Sequence, residues 1–334
     1  MSHYDAIIVG AGAGGGIAAG MLAEAGKKVL LLERGRLLSF EQVGRDHLRN
    51  QRLSQYGHNA GPDIDGNPRV YEDSNGEVIV SPHDGRYNAN AATVGGGTRV
   101  YGGQAWRFMP QDFRMASIYG VPEGSSLADW PITYEELSPY YQQAEWEIGV
   151  SGDAAQMKHL PAYDQPYPMP PVSLNLQGKT MRAGAAALGW SINPVPLLIN
   201  SEAYNGRPGC IHCQHCVGFA CPVDAKNGTQ NTLIARALAS GNCDLVSGAL
   251  VERIAVSEAG RVTGVIYFDA SGARVEVSAD VVIVSAGAIE SARLLLNSTS
   301  ANEPHGLGNN RDQVGRHLQG HYYPGAVGLF PDPV

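Results

Sequence analysis

A glycine-rich turn between two short apolar runs decides most of what this chain can fold into. Ala6-Ile7-Ile8-Val9 is wholly apolar and rich in β-branched residues, as a parallel strand buried on both faces must be. Gly10, Gly12 and Gly15 follow as G-x-G-x-x-G, with Gly14 inside the same run. The pattern from Ile17 to Ala25 predicts a helix closed by Gly26, and Lys28 to Leu32 predicts a second strand ended by Glu33. This is a βαβ dinucleotide unit. Its first glycine makes the tight turn, the second admits a pyrophosphate, and the third lets helix pack on strand. The helix N-terminus favours the anion through free N–H groups and the dipole. Glu33 stands where a carboxylate takes ribose hydroxyls, and it disfavours NADP, whose 2′-phosphate would meet a like charge.

Composition removes other classes. Lys and Arg number 24 against 32 Asp and Glu, a net charge of −8 that argues against nucleic acid and anionic membrane surfaces as partners. The longest apolar stretches, such as Val281 to Ala286, are far too short to span a membrane. Met1 to Asp5 is polar and lacks the form of a signal peptide, which points to the cytoplasm, or to the periplasm if a signal-bearing partner carries the chain there. With 334 residues the chain has room for two domains and a sizeable core without disulfides.

Two further segments narrow the dinucleotide. Val94-Gly95-Gly96-Gly97-Thr98, then Gly102-Gly103, forms a second glycine cluster that a nicotinamide domain does not obviously need but an extended flavin does. Asp280 to Ala292 reads as a buried strand, a small-residue turn at Ala286-Gly287, and a helix starting near Ile289. That strand returns to the dinucleotide sheet and brings a third stretch of backbone toward the cofactor.

Taken together, the glycine unit, the Gly95-to-Arg107 loop and Ser285-Ala286-Gly287-Ala288-Ile289-Glu290-Ser291 resemble the glucose–methanol–choline (GMC) oxidoreductases, and among them the flavoprotein large subunits of gluconate 2-dehydrogenase-like enzymes. Asp129-Trp130-Pro131, Pro139-Tyr140-Tyr141, Val314-Gly315-Arg316-His317-Leu318 and Gly320-His321-Tyr322-Tyr323 support the resemblance, which runs over essentially the whole chain. It implies an α/β FAD-binding Rossmann-like domain joined to part of an antiparallel-sheet substrate domain. It also implies noncovalent FAD, because Val100 stands where some relatives carry a flavin-linked histidine. Gly10, Gly12, Gly14, Gly15, Glu33 and Arg34 would hold the adenosine diphosphate, and Val251 the adenine. Gly96, Gly97, Thr98, Gly102, Gly103, Ala286 and Gly287 would line the diphosphate and flavin. The implied reaction is oxidation of an alcohol group on a sugar, sugar acid or polyol by hydride transfer to flavin N5; a GMC alcohol oxidase or a noncatalytic FAD-binding subunit are the alternatives.

Cys210, Cys213, Cys216 and Cys221 form a C-x2-C-x2-C-x4-C run followed by Pro222. Read from spacing alone it admits iron–sulfur ligation, structural zinc, disulfides or free thiols, with the dense run and the proline favouring iron–sulfur. The resemblance implies a three-iron (3Fe-4S) cluster through which electrons leave to a cytochrome acceptor, although the last interval is one residue longer than the family's spacing. Cys243 stands apart and reads as a buried small apolar residue, and His212 and His215 as solvated loop residues.

The domain reading places residues 1–160 and 222–334 in an FAD-binding domain with cofactor-covering loops, and 161–221 in the start of a substrate domain with the cysteine loop. Helices are predicted from near Tyr134 and over Lys179 to Leu188, an extended proline-rich connector over Pro161 to Pro171, and a hairpin over Val262 to Val277. The resemblance places the catalytic histidine pair beyond Val334, so the chain is expected to need a C-terminal partner chain, with a small subunit as a further partner. His317 and His321 lie four apart, but Gly320 and Pro324 oppose a helix, and packing is their expected role.

Overall fold

The computed structural model describes residues 3–39, 42, 69–80, 91–156, 160–161, 163–213 and 215–320. In chain order the elements are β1 (His3–Val9), α1 (Ala13–Glu24), β2 (Val29–Glu33), β3 (Arg69–Asp73), β4 (Gly76–Val80), α2 (Met115–Tyr119), α3 (Tyr134–Ile148), α4 (Leu176–Ala187), α5 (Leu233–Ala239), β5 (Cys243–Ser247), β6 (Leu250–Val256), β7 (Val262–Phe268), β8 (Arg274–Val284) and α6 (Ala288–Asn297). The described chain divides into two packing units: Met1–Gly102 with Cys213–Arg316, and Gly103–His212 with the segment from His317.

The first unit is built on one six-stranded sheet in the order β5-β2-β1-β8-β7-β6. Its β5, β2, β1 and β8 run parallel, with Ile7 paired to Leu30 on one side and Val282 on the other. β6, β7 and β8 form an antiparallel meander. Successive residues of β1 and β2 feed opposite cores. Ile7, Val9, Leu30 and Leu32 join Val251, Val265 and Leu294, while Ile8, Val29 and Leu31 join Ala19, Ala23, Ile234 and Ala237 of α1 and α5. Burial on both faces explains why these strands read as continuous apolar runs. The hairpin between β7 and β8 turns on Asp269, whose Oδ1 accepts from the N–H groups of Ser271 and Ala273.

The helix α1 starts four residues earlier than the pattern predicts. Ala13 to Gly16 has poor helix propensity, but tertiary packing overrides it: Gly16 and Gly20 lie so close to Thr229 and Leu233 that larger residues would not fit. At its other end Gly26 takes φ +79° and donates to Ala23 O, which closes the helix.

In the second unit, α3 is started by Thr133, whose hydroxyl accepts from Glu136 N while Glu136 Oε2 accepts from Thr133 N at 2.7 Å. Tyr134, Ser138, Tyr141 and Glu145 share one face of α3. There the buried Arg107 guanidinium forms a bidentate pair with Glu145, both bonds 2.7 Å, and donates to Tyr134 Oη and Ser138 Oγ. It also lies 4.0 Å from the centre of the Tyr163 ring. The antiparallel sheet expected here is not formed among the described residues, which make only isolated bridges such as Gln104 with Leu197 and Ser151 with Met169. Prolines at 161, 166, 168, 170, 171, 194 and 196 break the runs a ladder would need. No helix among the described residues is long and apolar enough to cross a membrane.

Candidate functional site

The carboxyl ends of β1, β2 and β8 meet at one edge of the parallel sheet, the place where open α/β sheets take their ligands. Gly10 has φ +100°, and its N–H donates to Leu32 O at 2.8 Å. A Cβ there would be driven into Ser285 O, with Ala286 Cα 2.9 Å away, so only glycine lets the β1 turn pass beside the β8 turn. Ser285 N donates to Val9 O at 2.8 Å, which fixes the Ser285-Ala286-Gly287 turn against the glycine loop. Gly287, at φ +83°, starts α6, and Ala286 N donates to Ser291 Oγ.

The second glycine cluster is tied to the first. Gly95 N donates to Ala11 O at 2.9 Å. Thr98 Oγ1 donates to Gly95 O and accepts from Thr229 N, and Thr229 Oγ1 donates to Gly12 O at 3.1 Å. Thr98 therefore holds the loop in shape, and Thr229, which sequence reasoning missed, links both loops. Gly12, Gly97 and Gly287 have no protein atom within 4 Å of where a Cβ would sit, and Gly14 meets only Ser285 Oγ at 3.6 Å. Open backbone at these positions, beside the uncapped N-terminus of α1, is the space a diphosphate requires.

Glu33 closes the site. Its Oε2 accepts from Ala11 N at 2.8 Å and its Oε1 from Gly35 N at 2.7 Å, leaving each oxygen a lone pair for a ribose hydroxyl. Burial raises its pKa above the usual carboxylate range, and the two N–H groups pull the other way without cancelling it. Arg34 does not stand free: its guanidinium pairs with Glu290, which also holds Arg293, and Arg293 reaches Val251 O at 3.4 Å. Ala249 N donates to Glu33 O, so the start of β6, with Val251 buried two residues on, sits at the end of β2. Gly102 lies against Val217, and Gly103, in the other unit, against Ile199.

Beside the second glycine cluster lies the latter part of the cysteine loop. Lys226, only 3% exposed, donates from Nζ to the carbonyl oxygens of Cys216 (2.6 Å), Phe219 (2.8 Å) and Tyr101 (2.9 Å). Gly218 N donates to Val100 O at 2.6 Å. These bonds fasten residues 216–219 onto the Val100–Tyr101 segment that follows the second glycine cluster. Burial pushes the Lys226 pKa down to about 8, against the Cys216, Cys221 and Cys213 thiols, which favour its charge. The thiols themselves are not gathered as a metal centre. Cys210 Sγ accepts from His212 N and Cys221 Sγ from Ala225 N, and no three His, Cys, Asp or Glu side chains among the described residues stand together in a metal-holding group. The donor set expected for an iron–sulfur cluster thus does not fit a cluster in this arrangement. Cys243 is buried on β5, where its thiol is pushed up to about 11. His212 has φ +56° and is exposed, and His215 is half-buried. His317 Nδ1 bonds Ser126 Oγ, and His321 lies outside the described residues.

Residues 4–323 match the family model for GMC oxidoreductases. The chain is 30% identical over 325 residues to the fructose dehydrogenase large subunit of Gluconobacter japonicus, covering 95% of this chain and 58% of that protein. It is 26% identical to the gluconate 2-dehydrogenase flavoprotein of Pantoea cypripedii, covering 95% and 56%. The chain thus spans a little over half the length of these relatives. The structure is similar in fold to a formate oxidase of Aspergillus oryzae RIB40, with a TM-score of 0.55 and 20% identity over 89% of this chain and 48% of that one. A family match across nearly the whole chain, joined to a glycine cradle of this form, establishes that the chain belongs to the GMC oxidoreductases.

Proposed function

We propose that this chain forms the cofactor-holding part of an FAD-dependent oxidoreductase that oxidises an alcohol group of a sugar, sugar acid or polyol. The observation that carries this is the meeting of three backbone turns, at Gly10–Gly12, Gly95–Thr98 and Ser285–Gly287, around open backbone and the Glu33 carboxylate. When bound, FAD supplies a hydride acceptor for the alcohol carbon. The residues of this chain bind and orient it. The N–H groups at the start of α1 face the diphosphate, Glu33 takes ribose hydroxyls, and the Gly95–Thr98 loop, held rigid by Thr98 and Thr229, supports the remainder. We assign no base for the alcohol proton within this chain. Relatives named for fructose and gluconate support a sugar-type alcohol, and the words "large subunit" in one of those names support a partner chain. No electron step is drawn through the cysteines, because their thiols are not gathered for a cluster.

The test is reconstitution with FAD, followed by flavin absorbance, FAD dissociation and assays for iron and acid-labile sulfide. One FAD per chain is expected, with affinity falling roughly tenfold in Glu33→Gln as charged hydrogen bonds are lost. Absence of FAD binding, or an unchanged affinity in Glu33→Gln, overturns the assignment. Stoichiometric iron and sulfide would restore the cysteine route, and peroxide formed from an alcohol and oxygen without another acceptor would favour an oxidase.

A further inference from the structure

The first unit contains a cavity of about 570 Å³ at the side of the second glycine cluster. That volume lies in the range of small-molecule sites. One part of its wall is apolar, formed by Leu37, Leu38 and Val223; another is polar, formed by Arg99, Lys226 and Gln230.

Arg99 is the unusual member. It is 8% exposed, yet among the described residues its only hydrogen bond runs from Nη2 to Ser39 O at 3.4 Å, near the limit of a bond. A guanidinium carries five N–H donors, and arginine is almost never buried this far unless paired. Burial accordingly pulls its pKa down, with the field of Asp224 opposing. Asp224 is itself exposed on the cavity rim and accepts from Asn231 Nδ2 at 2.7 Å. Lys226 adds a second positive charge, though its three N–H groups are taken by carbonyls. The wall therefore carries two cations against one carboxylate. Gln230 lines the same wall, but its amide Oε1, buried and unpartnered, packs against Gly95 and Gly228 and faces away from the space a ligand would take.

We propose that this cavity binds a small organic carboxylate, with the Arg99 guanidinium receiving the carboxylate and the Leu37, Leu38 and Val223 wall receiving a short apolar body. A carboxylate matches the planar donor fork of arginine, and it supplies the acceptors that the buried guanidinium lacks. The apolar wall selects a carbon skeleton over an inorganic oxyanion. The proposal does not rest on the alcohol-oxidising reading.

The experiment is calorimetric titration of the full chain, with and without saturating FAD, using benzoate as the probe and benzyl alcohol and inorganic phosphate as comparisons. Saturable benzoate binding is expected in both states, with none for benzyl alcohol. Arg99→Met should weaken benzoate binding by roughly tenfold to a hundredfold, the loss of charge-assisted hydrogen bonds. Leu38→Trp, which keeps Arg99 and fills the cavity, should abolish it; each variant is checked for folding by circular dichroism. Absence of saturable benzoate binding, or equal affinity in Arg99→Met, overturns the proposal. Loss of binding when FAD is added assigns the cavity to the cofactor, and phosphate binding as tight as benzoate removes the organic body; either result also overturns it.

Discussion

Three glycines within four positions should respond to the same substitution in three different ways. A Cβ on Gly15 would be driven into Gly10 O, with Gly10 C at 3.0 Å and Ile8 Cγ2 at 3.2 Å. Gly10 cannot yield, because its N–H is bonded to Leu32 O and Ser285 presses on its other side. The helix cannot slide aside either, because Gly16 and Gly20 already touch Thr229 and Leu233. Gly15→Ala must therefore separate α1 from the sheet, and its cost belongs at or above the upper end of overpacking effects, about 3 kcal/mol or more. Gly14 is exposed and helical, with Ser285 Oγ at an ordinary 3.6 Å, so Gly14→Ala should gain about 0.5–1 kcal/mol from helix propensity. Gly12 has φ −77° and nothing near its Cβ, so Gly12→Ala should leave stability within about 0.5 kcal/mol. Its methyl would nevertheless occupy the space of the diphosphate and lower FAD affinity at least about tenfold, as expected when a phosphate loses close backbone approach. Urea unfolding of the apoprotein measures the first quantity, and FAD titration of each variant the second. If Gly15→Ala unfolds at the wild-type urea concentration, or Gly12→Ala binds FAD normally, the close approach and the open cradle are respectively wrong.

Removing Glu145 leaves the Arg107 charge buried and unpaired, so Glu145→Ala should lose about 3–5 kcal/mol in urea unfolding; a loss below about 1 kcal/mol would show that the pair is not buried as described. Lys226 has a folded pKa of about 8 against 10.5 unfolded, so below pH 8 both states hold the proton and its contribution is flat. Between about 8 and 10.5 the unfolded chain holds a proton that the folded chain releases, so stability gains with pH by at most about 3 kcal/mol, and the difference between wild type and Lys226→Met should slope upward in that window. A flat difference would mean the three carbonyls keep the ammonium charged throughout. Glu33 is raised by burial, so FAD affinity should fall on acidification at a higher pH than a free carboxylate would impose, a dependence that Glu33→Gln should erase.

The dinucleotide edge was legible because its signals are local. Strand periodicity, glycine spacing and a terminal acid sit within about thirty residues, and each has one structural meaning. What fastens the edge was not legible. Thr229 reaches Gly12 and Thr98 from more than a hundred residues away, and Glu290 reaches Arg34 across a similar gap. No spacing rule encodes such contacts. The start of α1 was missed because propensity weighs Ala13–Gly16 as loop, whereas packing demands small helical residues there. The cysteine spacing is a statement about ligand types; it says nothing of the backbone path, which here turns the thiols of Cys210 and Cys221 toward nearby N–H groups.

Lys226 shows why that path matters for the cradle. Three carbonyl oxygens, from Cys216, Phe219 and Tyr101, converge on one point inside the first unit. An asparagine or glutamine amide offers two donors in one plane, and a serine hydroxyl one; an ammonium offers three in a tetrahedral fan, so a lysine is the residue that satisfies all three from a single atom. Left unsatisfied, each buried carbonyl would cost about 1–3 kcal/mol, which exceeds what residues 216–219 could recover from the Gly218–Val100 bond alone. One of the three acceptors belongs to the cradle itself. The position of Tyr101, and through it the loop that begins at Gly95, is thus set by the same buried charge that shapes the cysteine turn, and a change in either segment is mechanically felt by the other.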